Sequence, residues 1–569
     1  MTACLLTAIS TQAQPPSLKK QGTATQLHVD GKPMLVLGGE LHNSSTSSID
    51  YMSPIWPVMK AMNYNTVLAP VSWETIEPQE GVFDFTLVDA MLEGARKEDL
   101  KLVILWFASW KNGGSIYMPS WVKRDFNRFP RAKDSTGTSI EILSAFSEEN
   151  MKADARAFRA LMKHLREVDQ QYHTVVMMQI ENEVGILNTP MDFSQNALEL
   201  FNGPIPDQLG QYLKKNNKNI TRDLERVWKA RGSKTIGTWE EVFGISKKGD
   251  PSRRRDYDWH EPYYYTEELF MGYYYAQYMG YVAAEGKKEY DIPMYVNAWL
   301  KGPDYPWTGL HPGGGPLPSV MDMYRCAAPS IDFLSPDIYV PHFTEVVEWY
   351  DQLGNPLFIP ETRGGSLGAD RLLWCIGEHN LIGFSPFGTD GRRSPERPMP
   401  MSNPLDQLSL TYRLLQDMAP IILSVQGTGQ MRGMFVDQDN TETTLTLGDY
   451  EITADLYSSS VPVPAGGPLA SGNSRSVNRT VSGGGFIIWL GGDQFLVFGR
   501  NLNVRFKPVF PDKLPLVAVD NVYEGVYSNG EWIPGRLLNG DETHCSTFSG
   551  TGLKMPGMSI QKITLYRYK

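Results

Sequence analysis

The sequence predicts a (β/α)8 TIM barrel followed by a smaller all-β sandwich domain. Three observations lead there. Eight short apolar runs recur between residues 35 and 387, segments of helical periodicity lie between them, and past about Gln426 the chain turns to short alternating stretches cut by Gly, Pro, Ser and Asn. No internal repeat or low-complexity tract interrupts this order.

The eight runs are Leu35–Leu41, Asn65–Val71, Leu102–Ser109, Thr174–Glu183, Pro293–Trp299, Phe333–Tyr339, Pro356–Thr362 and Leu381–Phe387. A strand with both faces covered reads as a near-continuous hydrophobic run, which is the texture of a parallel sheet. Thr86–Glu98 and Met151–Asp169 show apolar residues at spacings of three and four, as amphipathic helices do. Ahead of them, Gln26–Met34 reads as a hairpin around Asp30-Gly31. About 110 residues separate the fourth and fifth runs, from Val184 to Ile292. That insertion follows a strand end, so it is expected over the rim of the barrel. Its tyrosine-rich stretch, Tyr263–Tyr281, is more simply packing. A helix at Leu405–Leu423 is expected to close the barrel, which sets the expected domains at 15–425 and 426–569. In the second, Thr443–Leu447, Phe486–Leu490, Gln494–Phe498, Val522–Val526 and Lys562–Tyr568 read as strands, with Pro464–Gly467 and Ser482–Gly485 between them.

Bulk properties exclude several classes. Lys and Arg total 53 against 64 Asp and Glu, a net charge of −11, so there is no electrostatic footprint for nucleic acid. The basic run Arg253–Arg255 reads as a solvated loop. No stretch reaches the roughly 18 to 20 apolar residues of a membrane span. Residues 1–14 resemble the remnant of a signal peptide, with small residues at Thr11 and Ala13, and imply a secreted or periplasmic protein. Beyond them stand Cys326, Cys375 and Cys545, an odd number that allows one disulfide and supports no cysteine metal site. Nine histidines with no pair at ligand spacing give no zinc site either, so no metal or cofactor is expected. The glycine-rich loop Gly309–Gly315 around His311 lacks the lysine of a phosphate-binding loop and reads as a rim loop. No GxSxG is present to mark a serine nucleophile. The number of chains in the active assembly is not encoded in any of these features.

The chemistry concentrates in Thr174–Gly185, TVVMMQIENEVG, an apolar run that stops at Gln179, Glu181, Asn182 and Glu183. Pro356–Gly365 has the same shape and delivers Glu361, 178 positions later. The fourth and seventh strands of an eight-stranded barrel end on one rim, facing each other across the mouth. Two carboxyls so placed suit glycosidic bond cleavage with retention, which asks for an acid and a nucleophile about 5 to 5.5 Å apart. Arg363, two residues after Glu361, is a nearby charge that would favour its ionised form. Glu40, Glu74, Trp106, Ser109, Trp110, Trp299 and Tyr339 stand at or near strand ends and are candidates for the walls of a substrate pocket. Trp73 and His42 are weaker ones.

Met178–Gly185 resembles the QIENEYG signature of glycoside hydrolase family 35, the β-galactosidases. Gly38-Gly39-Glu40-Leu41-His42 is similar to that family's GGEIHY, and Asn65-Thr66-Val67 through Trp73, Glu77-Pro78 and Gly81–Phe85 resemble its second-strand segment. The resemblance covers roughly residues 26–425. It implies Glu183 as acid/base, Glu361 as nucleophile, Asn182 as partner of the sugar 2-hydroxyl, and Tyr339 as the tyrosine that steadies the nucleophile. Departures fall on the sugar-binding wall, with Pro70 and Glu74 on the second strand, Ala108-Ser109-Trp110 on the third, and Val184 for the usual tyrosine. The short β region resembles that of compact bacterial members active on plant cell-wall oligosaccharides. The expected partner is therefore an oligosaccharide substrate.

Overall fold

The computed structural model describes residues 14–391, 406–457, 482–510, 514–546 and 550–569. The leader at 1–14, apart from Gln14, the turn at 464–467 and the side chain of Cys545 lie outside them. Cys326 and Cys375 are buried thiols. Among the described residues no helix is long and apolar enough to cross a membrane.

All eight runs are strands, and they close into one barrel: β1 (Val36–Glu40), β2 (Thr66–Ser72), β3 (Lys101–Lys111), β4 (Val175–Asn182), β5 (Met294–Trp299), β6 (Phe333–Ile338), β7 (Phe358–Thr362) and β8 (Gly383–Pro386). Each pairs in parallel with its sequence neighbours, and β8 pairs with β1 to complete the ring. Every residue of β1, β4, β6, β7 and β8 is buried. That is why these strands read as unbroken apolar runs rather than as alternations. The hairpin ahead of the barrel pairs Leu27 with Met34 and Val29 with Lys32, with Asp30 and Gly31 both at positive φ, as a two-residue turn requires.

One irregularity shapes the catalytic end. Opposite β4, the register of β3 jumps from Trp106↔Ile180 to Lys111↔Asn182, so five steps along β3 face two along β4. This bulge lifts Phe107–Trp110 out of the ladder and leaves their N–H groups to be met by other partners.

Helix α1 (Thr86–Lys97) matches its predicted span, whereas α2 (Glu148–Asp169) starts three residues before the expected Met151. The Ser147 side chain accepts from the N–H of Asn150, and Glu148 and Glu149 occupy the first turn. That polar start is a cap rather than a loop. The insertion is mostly helical, and its longest helix, α3 (Tyr265–Lys287), lies against α2. Tyr265, Tyr273, Tyr275 and Tyr278 are buried there, which makes them packing.

By contacts the chain divides into two units, one centred on Leu27–Thr362 and the other formed by Lys20–Gln26, Arg363–Ile382 and Ser402–Lys569. Helix α4 (Gly365–His379) and α5 (Gln407–Val425), the helix expected to close the barrel, both fall in the second. There two antiparallel sheets of six and five strands face each other over a core including Met434, Ile452, Phe495, Val497, Val504 and Leu553. Helix α4 is tied to the six-stranded sheet by two arginine pairs. Arg500 holds Asp370 at 2.8 and 2.5 Å, and Arg432 holds Glu378 at 2.8 and 2.7 Å.

Candidate active site

Four carboxyls meet at the C-terminal mouth of the barrel: Glu40 from β1, Glu183 just after β4, Asp337 from β6 and Glu361 from β7. Glu183, Asp337 and Glu361 bring one oxygen each to within 4.8 Å of one another. Glu183 and Glu361 are only 7% and 6% exposed, so both are recessed yet open to a ligand in the mouth.

Local structure aims each group. Glu181 and Glu183 both have positive φ, 59° and 45°. Non-glycine residues rarely hold that conformation, and it swings the two neighbouring acids in different directions instead of along one face. The N–H of Glu183 donates to Asn297 Oδ1 at 3.0 Å, and Asn297 Nδ2 donates to Asp337 Oδ2 at 2.7 Å and Asn182 Oδ1 at 3.1 Å. One amide thus joins the ends of β4, β5 and β6. Past the strand, Gly185 (φ 141°) lies so close to Pro312 that an added Cβ would sit 2.4 Å from its carbonyl carbon. Only glycine fits there.

Burial pushes the Glu183 carboxyl up to about 7, helped by the charge of Glu361 and opposed by Lys111. Burial also holds Glu40 and Asp337 well above the usual carboxylate range, with the other acids of the cluster adding to it. Tyr339 donates to Glu361 Oε2 at 3.0 Å, as the resemblance implied. The two acids are thus set apart: Glu183 is raised by burial, and Glu361 is held by a hydroxyl donor.

The remaining candidates disperse. Trp299 is half-buried at the tip of β5, edge-on to Tyr305 at 5.8 Å, and borders the mouth. Asn182 is buried beside Glu183, its amide engaged by Gln179, Asn297 and Asn112. Trp106, Ser109 and Trp110 do not line the mouth. Trp106, still in register, and Ser109 and Trp110 in the bulge point into the wall, where Trp106 Nε1 and Ser109 Oγ donate to Asp154 of α2, and Trp110 Nε1 donates to the Leu143 carbonyl. Trp110 packs on Tyr275 and Tyr278 of α3. Glu74 is exposed and paired with Lys123 at 3.1 Å, outside the cluster. Trp73 is buried with its N–H on Glu77, and His42 pairs with Asp390. His311 is buried against Glu268, so the glycine-rich loop is structural.

Sequence reasoning missed three members. Arg363 is exposed, and the cation that acts on Glu40 and Glu183 is instead the buried Lys111 at the end of β3. Asn297 is the one amide in the apolar run MYVNAW and Asp337 the one acid in FLSPDI, a signal that could have found them. Three converging carboxylate oxygens are also a spacing that a hard cation uses. Lys111 supplies positive charge beside the same group.

Residues 49–260 match the family Glyco_hydro_42, described as beta-galactosidase, and residues 408–549 match a domain of unknown function, DUF5597. Over residues 49–260 the barrel is similar to a glycoside hydrolase. A beta-galactosidase from Xanthomonas manihotis is 28% identical over 192 residues, covering 32% of this chain and 29% of that protein. The chain thus matches less than a third of that relative's length. Among solved structures, the beta-galactosidase from Bacillus circulans sp. alkalophilus superposes with a TM-score of 0.45 and 15% identity, over 68% of this chain and 57% of that one. The one from the psychrophilic Marinomonas ef1 gives 0.42 and 15%, over 68% and 60%. The matched family model is that of family 42 rather than the family 35 that the short motifs resemble, and its description, beta-galactosidase, agrees with that resemblance.

Proposed function

We propose that this chain is a retaining, exo-acting β-galactosidase that releases terminal β-linked galactose from oligosaccharides, with xyloglucan-type plant cell-wall fragments as the substrates to try first. The observation that carries the reading is that Glu183 and Glu361 bring one carboxyl oxygen each to within 4.8 Å, as suits a retaining pair whose carboxyls stand about 5 to 5.5 Å apart. In the first step Glu183 gives its proton to the leaving oxygen as Glu361 attacks the anomeric carbon. In the second, the ionised Glu183 takes a proton from water, which displaces Glu361. Lys111 offsets part of the charge that builds up while both acids are ionised.

The test is Glu361→Gln assayed on a panel of nitrophenyl glycosides and galactosylated oligosaccharides. Turnover should fall by several orders of magnitude with the melting temperature kept. Near-normal turnover would remove Glu361 as nucleophile. A wild-type preference for glucosides, arabinosides or mannosides would keep the mechanism and change the sugar.

A further inference from the structure

Double displacement gives no duty to Glu40 or Asp337, and of these two Asp337 is held by Asn297 while Glu40 is not held by any described donor. It is fully buried, and neither carboxyl oxygen receives a hydrogen bond from any described donor. A carboxylate left ionised in that setting would carry an uncompensated desolvation cost of several kcal/mol. It is nevertheless held firmly, because its backbone carbonyl accepts from both the N–H and the hydroxyl of Thr389, at 3.0 and 3.1 Å. Its side chain lies beside that of Glu361, whose buried Oε1 is likewise without a described donor. Two carboxyls in such contact need a proton between them.

Which of the two carries that proton follows from their other neighbours. Glu361 already accepts the Tyr339 hydroxyl on Oε2 at 3.0 Å, while its buried Oε1 receives no described donor. Glu40 has no donor among the described residues. The other groups around it are Glu183 from the β4 end, Lys111 from β3, Asp337 and Tyr339 from β6 and its end, and Tyr295 from β5. Lys111 supplies one positive charge there against four acids, so the cluster must hold protons.

We propose that Glu40 is a positioning residue: a neutral carboxylic acid that donates a hydrogen bond to Glu361 and, with Tyr339, clamps the nucleophile from two sides. This rests on the reading of Glu361 as nucleophile. It gives the acid at the end of β1 a task that the sugar need not touch. A protonated carboxyl is a donor that glutamine can imitate through its amide N–H, whereas alanine cannot.

The experiment compares full-length wild type, Glu40→Gln and Glu40→Ala. In isotope-edited infrared difference spectra at neutral pH, Glu40→Gln should remove one protonated-carboxyl C=O band. With a nitrophenyl β-galactoside, kcat should fall less than tenfold for Gln and more than a hundredfold for Ala. The acid limb of kcat/KM should stay in place for Gln and move to higher pH for Ala. Loss of no protonated-carboxyl band, Gln as damaging as Ala, or an acid limb that moves down in the Gln variant would each overturn the proposal, since each points to an ionised or idle Glu40. Melting curves separate misfolded Ala protein from a catalytic loss, and the isosteric Gln variant carries the test in either case. If the wild type cleaves no β-galactoside, the functional reading fails by itself, and the infrared result still decides the protonation of Glu40.

Discussion

Two buried acid clusters lie at the same end of this barrel, and they are finished in opposite ways. In the wall, Glu181 accepts from the backbone N–H groups of Ala108, Ser109 and Trp110 at 3.2, 3.2 and 2.8 Å. Its neighbour Asp154 takes Trp106 Nε1 and Ser109 Oγ. Every oxygen of the pair is met. In the mouth, both oxygens of Glu40, Oε1 of Glu361 and Oδ1 of Asp337 are buried without a donor. Burial raises the acids of both clusters, so perturbation alone does not tell them apart. The difference lies in where the hydrogen bonds go. Satisfied acids cap the N–H groups that a bulge strands, and unsatisfied ones face the space a substrate would fill.

The contrast is sharpest between Glu181 and Glu183, two residues apart. Changing each to Gln should give opposite losses. Glu183→Gln should lower kcat on poorly activated substrates by about 10² to 10⁴ with little change in melting temperature. Glu181→Gln should leave most of the activity of the folded protein and cost about 1 to 3 kcal/mol of stability for each backbone donor it orphans. Equal losses of activity would erase the distinction. For Glu183→Ala, azide should restore turnover and yield a β-glycosyl azide, and failure to do so would remove Glu183 as acid/base.

A smaller effect tests the same cluster by pH. Because the folded Glu183 holds its proton up to about 7, the acid form is present below that value and lost above it. The rate constant kcat/KM should therefore fall about tenfold per unit as pH rises past 7, and Glu183→Gln should flatten that limb. A limb unmoved by the substitution belongs to another group. Smallest of all, Tyr339→Phe removes one donor from Glu361 at a site 38% open to solvent and should cost about tenfold in kcat. A loss of thousandfold would mean that the phenol does more than steady the nucleophile.

How far the site could be read follows from the same geometry. Glu183, Glu361, Tyr339 and Trp299 were legible because a polar or aromatic residue at the end of an apolar strand has few structural uses. Trp106, Ser109 and Trp110 met the same criterion and were misplaced, because the register jump between Trp106 and Lys111 depends on what β4 and α2 present to them. Arg363 was misassigned for a related reason. Proximity in sequence gave it to Glu361, whereas Lys111 reaches the cluster from a strand 250 positions away in the chain.

The order of strands and helices, the closure into a barrel and the two strand ends that bring Glu183 and Glu361 to one rim were written locally, in runs of apolar residues whose periodicity declares how they pack. What the folded chain alone decided is which buried acid is met and which is left open. A hydrogen bond from Ser109 to Glu181, or a contact between Glu40 and Glu361, joins residues that share no local pattern, and a proton goes wherever no donor arrives.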